Sequence, residues 1–118
     1  MIVYNTTYTM PVGDARDFVI WVNECMMPRV EDDGRLSGSR MLRILSHHDQ
    51  DTECFSVQFD VDSTAILHKW YTELGDALNK ELLQVFDGRI VGFSTIMESI
   101  IPNPSPKERG RINANRKR

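Results

Sequence analysis

The order of secondary-structure signals predicts an α+β sandwich of the form β-α-β-β-α-β, with four antiparallel strands in one sheet and two helices on one of its faces. Three observations predict it. Phe55, Val57, Phe59 and Val61 alternate with Cys54, Ser56, Gln58 and Asp60, which marks a strand with one apolar face. Apolar residues at helical spacing run from Ala15 to Met26 and again from Ile66 to Phe86. A short polar segment, His47 to Thr52, separates two strand-like runs, as a hairpin requires.

The elements follow in order. Ile2 to Thr9 is rich in β-branched and aromatic residues and reads as the first strand. Pro11, Gly13 and Asp14 punctuate the chain, with Asp14 placed as a helix N-cap. Ala15, Phe18, Val19, Val22, Cys25 and Met26 then form one helical face. Pro28 lacks a backbone donor, so this helix is expected to kink or end near Met27. Ser39 to Ser46 is the second strand. After the third, Asp62 or Ser63 caps a second helix whose apolar face carries Ile66, Trp70, Leu74, Ala77, Leu78, Leu82, Val85 and Phe86, with Gly75 a candidate break. Asp87-Gly88 turns the chain into a last strand, Arg89 to Ile100, and Pro102, Pro104 and Pro106 stop regular structure.

Sequential hairpin pairing with right-handed crossovers turns this order into the ferredoxin-like arrangement. The helix-facing side of the sheet is expected to carry Phe55, Val57, Phe59, Ile2, Tyr4, Val91 and Phe93. The open side then carries Val3, Asn5, Thr7, Ser56, Gln58, Gly92, Ser94 and Ile96. Such a mixed open face is where a domain of this kind meets a partner or a ligand.

The chain has 118 residues, 41% hydrophobic and 26% charged, which places it among globular domains. Its net charge of −3 conceals an asymmetry: residues 1–101 hold 8 Lys/Arg against 16 Asp/Glu, and residues 102–118 hold 6 against 1. The expected organisation is a ferredoxin-like domain over 1–101 and a basic, Pro-containing tail over 102–118. No run approaches the ~18 apolar residues of a membrane span, and Met1 to Met10 lacks the basic start of a signal peptide. Cys25 and Cys54 have no metal-binding spacing and read as reduced thiols, so the expected compartment is the cytoplasm. Phosphate-binding, dinucleotide-binding, nucleophile-elbow and HExxH signatures are missing from the sequence.

Several stretches together resemble a small bacterial, Bacteroidetes-type family of unknown function, related to the dimeric α/β-barrel superfamily. They are Met1-Ile2-Val3-Tyr4-Asn5, Trp21, Pro28, Arg40-Met41-Leu42-Arg43-Ile44-Leu45, Ser56-Val57-Gln58-Phe59, and Val91-Gly92-Phe93 with Thr95. The resemblance covers about residues 1–100. It implies the same fold, pairing of two subunits, and a small-molecule pocket over the sheet. It also exposes departures. The family pattern often has a His before the Pro closing helix one, where Met26-Met27 stands here. It has a second His late in helix two, where Leu82 stands, and an Arg in the last strand, where Ser94 stands. These replacements weaken the case for catalysis.

Asn5, Gln58 and Ser94 are the candidate ligand-binding residues, expected to converge on the open face with Arg43 as an anion contact. The same side chains would equally serve by bonding one another or a second subunit, and Arg43 would equally serve as an edge charge. His47-His48-Asp49 reads as a solvated hairpin, because adjacent strand residues point apart, and His68 as a helix-surface residue. Trp21, Met26 and Met27 fit either core or interface. The basic tail has three open readings: contact with nucleic-acid phosphates, docking on the acidic domain, or simple solvation. The function expected is a non-enzymatic binding or assembly module, homodimeric through the open face, needing no cofactor, metal or membrane. The alternatives are a cofactor-free monooxygenase or isomerase of the dimeric α/β-barrel type, and nucleic-acid association through the tail.

Overall fold

In the computed structural model, which describes residues 1–100, β1 (Ile2–Pro11) lies inside the sheet and pairs antiparallel with both β3 (Thr52–Val61) and β4 (Val91–Glu98). β2 (Ser37–Arg43) flanks β3, so the strand order is β2-β3-β1-β4. Two helices connect them: α1 over residues 15–33 and α2 over residues 64–85. This is the predicted ferredoxin-like sheet with two helices. The expected tail, 102–118, lies outside the described residues. No described helix is long and apolar enough to cross a membrane.

The register explains the core. Ile2, Tyr4, Thr6 and Tyr8 stand opposite Val61, Phe59, Val57 and Phe55, so these side chains share the helix-covered face. Phe18 from α1 is completely buried among them, with ring centroids 5.0 Å from Tyr8 and 5.8 Å from Phe55. Trp21, Met26 and Met27 are also buried, which makes them core residues within the single chain.

Neither helix ends at the position its sequence flagged, but the α winding of each is interrupted next to it. α1 consists of α-helical Ala15–Trp21, a π-helical turn Val22–Met26, and α-helical Met27–Asp33. Pro28 falls in the first turn after the π segment. The wider turn leaves room for the ring and leaves its missing donor without consequence, so the helix continues to Gly34. α2 repeats the pattern with Thr64–Trp70, a π turn Tyr71–Gly75, and Asp76–Val85. Gly75 closes the π turn and is buried.

Each π turn adds a residue to the winding and so rotates the remainder of its helix by about 100°. That rotation keeps Met27 and Val30 of α1, and Leu78 and Leu82 of α2, on the sheet. It also explains why Ala77 and Val85 are exposed; Leu67, omitted from the predicted face, lies before the turn and is buried.

The helix ends obey local chemistry. Ser63 Oγ accepts the Ile66 N–H at 3.2 Å, the expected cap. Gly34, in the left-handed region at φ 82°, ends α1. Asp14 does not cap α1: its backbone is already helical and its carboxylate is held by Arg89 at 2.8 and 3.1 Å.

Two strands are displaced from their expected bounds. β2 begins two residues early and carries a bulge between Ser37 and Arg40. β4 ends at Glu98.

Candidate functional site

The open face carries a polar row built by the β1–β3 register. Asn5 stands opposite Gln58, and Thr7 opposite Ser56. The Ser56 hydroxyl donates to Asn5 Oδ1, and the Asn5 amide donates to Thr7 Oγ1 at 3.3 Å. Gln58 Nε2 donates to Ser56 Oγ at 3.1 Å, while its carbonyl accepts from Arg40 Nε at 2.9 Å. Arg40 also reaches Asp60 Oδ1 at 3.3 Å. Asn5 and Ser56 are buried even though no helix covers them. Asn5 and Gln58 therefore come together as expected, and their polar groups are engaged with one another.

Ser94 does not join them. β4 pairs so that Ser94 faces Thr6 and Ile96 faces Tyr4, which puts Gly92, Ser94 and Ile96 on the helix side. Val91, Phe93, Thr95 and Met97 take the open face instead. The alternation of β4 is legible in sequence, but its phase depends on register, and a one-residue shift exchanges the two faces. Arg43 is likewise on the other side. It stands opposite Phe55, lies 5.4 Å above that ring, and approaches Glu53 at 3.7 Å. The arginine of the open face is Arg40, which sequence reasoning misses. The bulge around Gly38, at φ 58°, sets Arg40 opposite Gln58.

The inversion of β4 leaves its open side apolar and bare. Phe93 is 70% exposed and Val91 67%, with Met97 beside them in the same row. They adjoin Thr7, Thr9 and Val3 across the β1–β4 pair.

On the helix side, Ser94 belongs to a cavity of about 160 Å³ between α2 and the sheet, lined by Tyr4, Thr6, Tyr8, Trp70, Gly75 and Asn79 among others. Ser94 Oγ lies 3.0 Å from Thr6 Oγ1 and 3.3 Å from the Tyr4 hydroxyl. Tyr4 packs edge-on against Trp70 with centroids 5.9 Å apart. Gly92 stands opposite Tyr8, and a Cβ there would meet the Tyr8 ring at 3.1 Å. An outer groove shares Tyr4, Tyr71 and Ser94 and continues along Leu67, His68 and Ile96. Burial pushes the Tyr8 phenol far above its ordinary pKa, with Tyr4 adding to the effect, and burial raises Tyr71 as well. The lining of the inner cavity contains aromatic, aliphatic, hydroxyl and amide groups and no carboxylate, histidine or cation. Its chemistry suits holding an uncharged, partly aromatic molecule.

A family model for a domain of unknown function, DUF4286, matches residues 1–100. Among solved structures, the chain resembles a provisionally assigned antibiotic biosynthesis monooxygenase from Deinococcus radiodurans, with a TM-score of 0.67 at 11% identity over 89% of this chain and 98% of that one. It also resembles a dimeric ferredoxin-like protein from an uncultured marine organism, with a TM-score of 0.63 at 12% identity over 85% and 96%. A third is a Streptomyces coelicolor monooxygenase in complex with nanaomycin D, with a TM-score of 0.51 at 12% identity over 88% and 94%. At such identities the likeness is one of fold. No curated protein matches the chain in sequence.

Proposed function

The chain belongs to the DUF4286 family over residues 1–100, and from that premise we propose that it is a homodimeric binding module whose subunits pair sheet to sheet through the open face. The observation that carries this reading is the bare apolar row Val91, Phe93 and Met97, set beside a polar row whose hydrogen bonds are already internal. Packing two such faces together removes the apolar row from water while asking little of the polar one. The marine protein of the same fold is described as dimeric, which supports the reading. Light scattering on the eluting protein tests it. A species of twice 13.6 kDa is expected, and a monomer at high concentration overturns it.

A second reading concerns what the module binds. The cavity under α2, with its Tyr4, Thr6 and Ser94 hydroxyls against Trp70, favours a small planar molecule with one or two polar substituents. The ligand site proposed from sequence thus moves from the open face to the helix side, keeping Ser94 and exchanging Asn5, Gln58 and Arg43 for Tyr4, Thr6 and Trp70. Titration with 2-naphthol, read by Trp70 fluorescence in a Trp21→Phe background, is expected to saturate. A Ser94→Phe variant that binds as well as its parent rejects the site.

A further inference from the structure

Sequence alone reads Cys54 as a packed thiol and His47 as a solvated hairpin residue, and the structure puts the two in contact. Cys54 Sγ lies 3.5 Å from His47 Nδ1, and the Thr9 hydroxyl lies 3.0 Å from the same sulfur. On the far side of the imidazole, Nε2 is 2.7 Å from Thr52 Oγ1. Beyond Thr52 stands the Asp49 carboxylate, which accepts the Asp51 backbone N–H at 2.9 Å. That carboxylate is held below its usual range by the Asp51 backbone N–H, then by Thr52, and further by the nearby His47.

One tautomer of His47 sets these contacts in series. In that tautomer Nε2–H donates to Thr52 Oγ1. Nδ1 is then the lone-pair nitrogen, and it faces the Cys54 S–H. A nucleophile, a base and an orienting group stand in series, the arrangement that activates a thiol. All of it comes from one hairpin, residues 44–54, with Thr9 from β1. His47 reaches the sulfur from the connection between β2 and β3, where Leu45, Ser46, His48 and Asp49 are exposed.

We infer that Cys54 is a nucleophilic thiol, activated by His47, that exchanges with low-molecular-weight disulfides. His47 Nδ1 takes the S–H proton and Thr9 donates to the resulting thiolate. The thiolate attacks one sulfur of the disulfide, forming the Cys54 mixed disulfide and breaking the original S–S bond. The departing thiolate takes the proton back from His47 and leaves as a thiol. Cys54 is oxidised, the released sulfur is reduced, and no further oxidant is required. Thr52 and Asp49 act as positioning residues through the imidazole. Every group lies within one chain, but Cys54 and Thr9 stand on the open face beside Val91, so access to the sulfur depends on whether a second subunit covers that face.

The test is the rate of modification by 2-hydroxyethyl disulfide, followed by intact mass on the full chain. Cys25, also free and more exposed than Cys54, serves as internal reference. Cys54 is expected to react faster than Cys25 despite being 8% exposed. His47→Gln is expected to slow Cys54 by at least about tenfold and to leave Cys25 unchanged. Thr52→Val is expected to slow Cys54 in the same way, and Thr52→Ser to restore it, which covers the case of His47→Gln failing to fold. Repeating the series with Phe93→Asp separates shielding by a second subunit from loss of the base. Equal rates in the parent and His47→Gln proteins, or preferential reaction at Cys25 in both backgrounds, overturn the inference.

Discussion

The Ser56 hydroxyl donates to Asn5 Oδ1 diagonally across the β1–β3 pair, so two buried polar residues on the uncovered face of the sheet satisfy each other. Ser56 Oγ also accepts from Gln58 Nε2, which makes it the centre of the row. Ser56→Ala strips a partner from both neighbours. The expected loss is about 1–3 kcal/mol, the range for leaving buried polar groups unpaired. Urea denaturation read by circular dichroism measures it, and an unchanged midpoint would mean that water replaces the hydroxyl at no cost.

Phe93→Asp tests the apolar row. The side chain is largely exposed within one chain, so the substitution is expected to change folding stability by no more than about 0.5 kcal/mol. It is expected to convert the proposed dimer to monomer. Sedimentation velocity separates the two effects, and a dimer that persists would move the interface elsewhere.

Gly75→Ala reverses a familiar sign. Alanine in a helix normally gains about 1 kcal/mol over glycine. Here a Cβ would stand 2.6 Å from Trp70 Cζ3 and 2.8 Å from Tyr71 Cδ2. Overpacking of this kind costs about 1–3 kcal/mol, and the buried Trp70 ring cannot swing clear, so a net loss is expected. Thermal unfolding decides the matter, and a raised midpoint would show that the ring adjusts freely.

Asp14 gives a pH signature. Hydrogen bonds from Arg89 hold its carboxyl below the usual range. A depressed folded value stabilises the fold at all pH above the unfolded pKa of about 3.9, and this contribution disappears as pH falls through the folded value. Asp14→Asn is therefore expected to lower the urea midpoint at pH 7. The gap between parent and variant should close in acid. A gap independent of pH would assign the effect to packing.

Much of this is legible in the sequence and some is not, for separable reasons. The alternation around Phe55 and the Ser63 cap are local signals, and the structure bears both out. The faces of β4 are not local: Val91 and Phe93 alternate like core residues, yet pairing of Thr6 with Ser94 turns them outward. Arg43 takes the place of Arg40 in the sequence reading because the bulge beside Gly38 has no clear sequence mark. Asp14 has the look of a cap because nothing nearby reveals Arg89, 75 residues away. The contact between His47 and Cys54 requires the hairpin to close, so spacing alone does not show it.

The paired π turns bear on how members of the family should be aligned. A chain lacking one residue at Val22–Met26 or Tyr71–Gly75 would regain ordinary winding there. Such a gap, placed inside the turn, preserves the match of every inward-facing residue beyond it. Placed one turn away, it equates a residue that touches the sheet with one that touches water, and inward positions such as Leu78 and Leu82 would lose their counterparts.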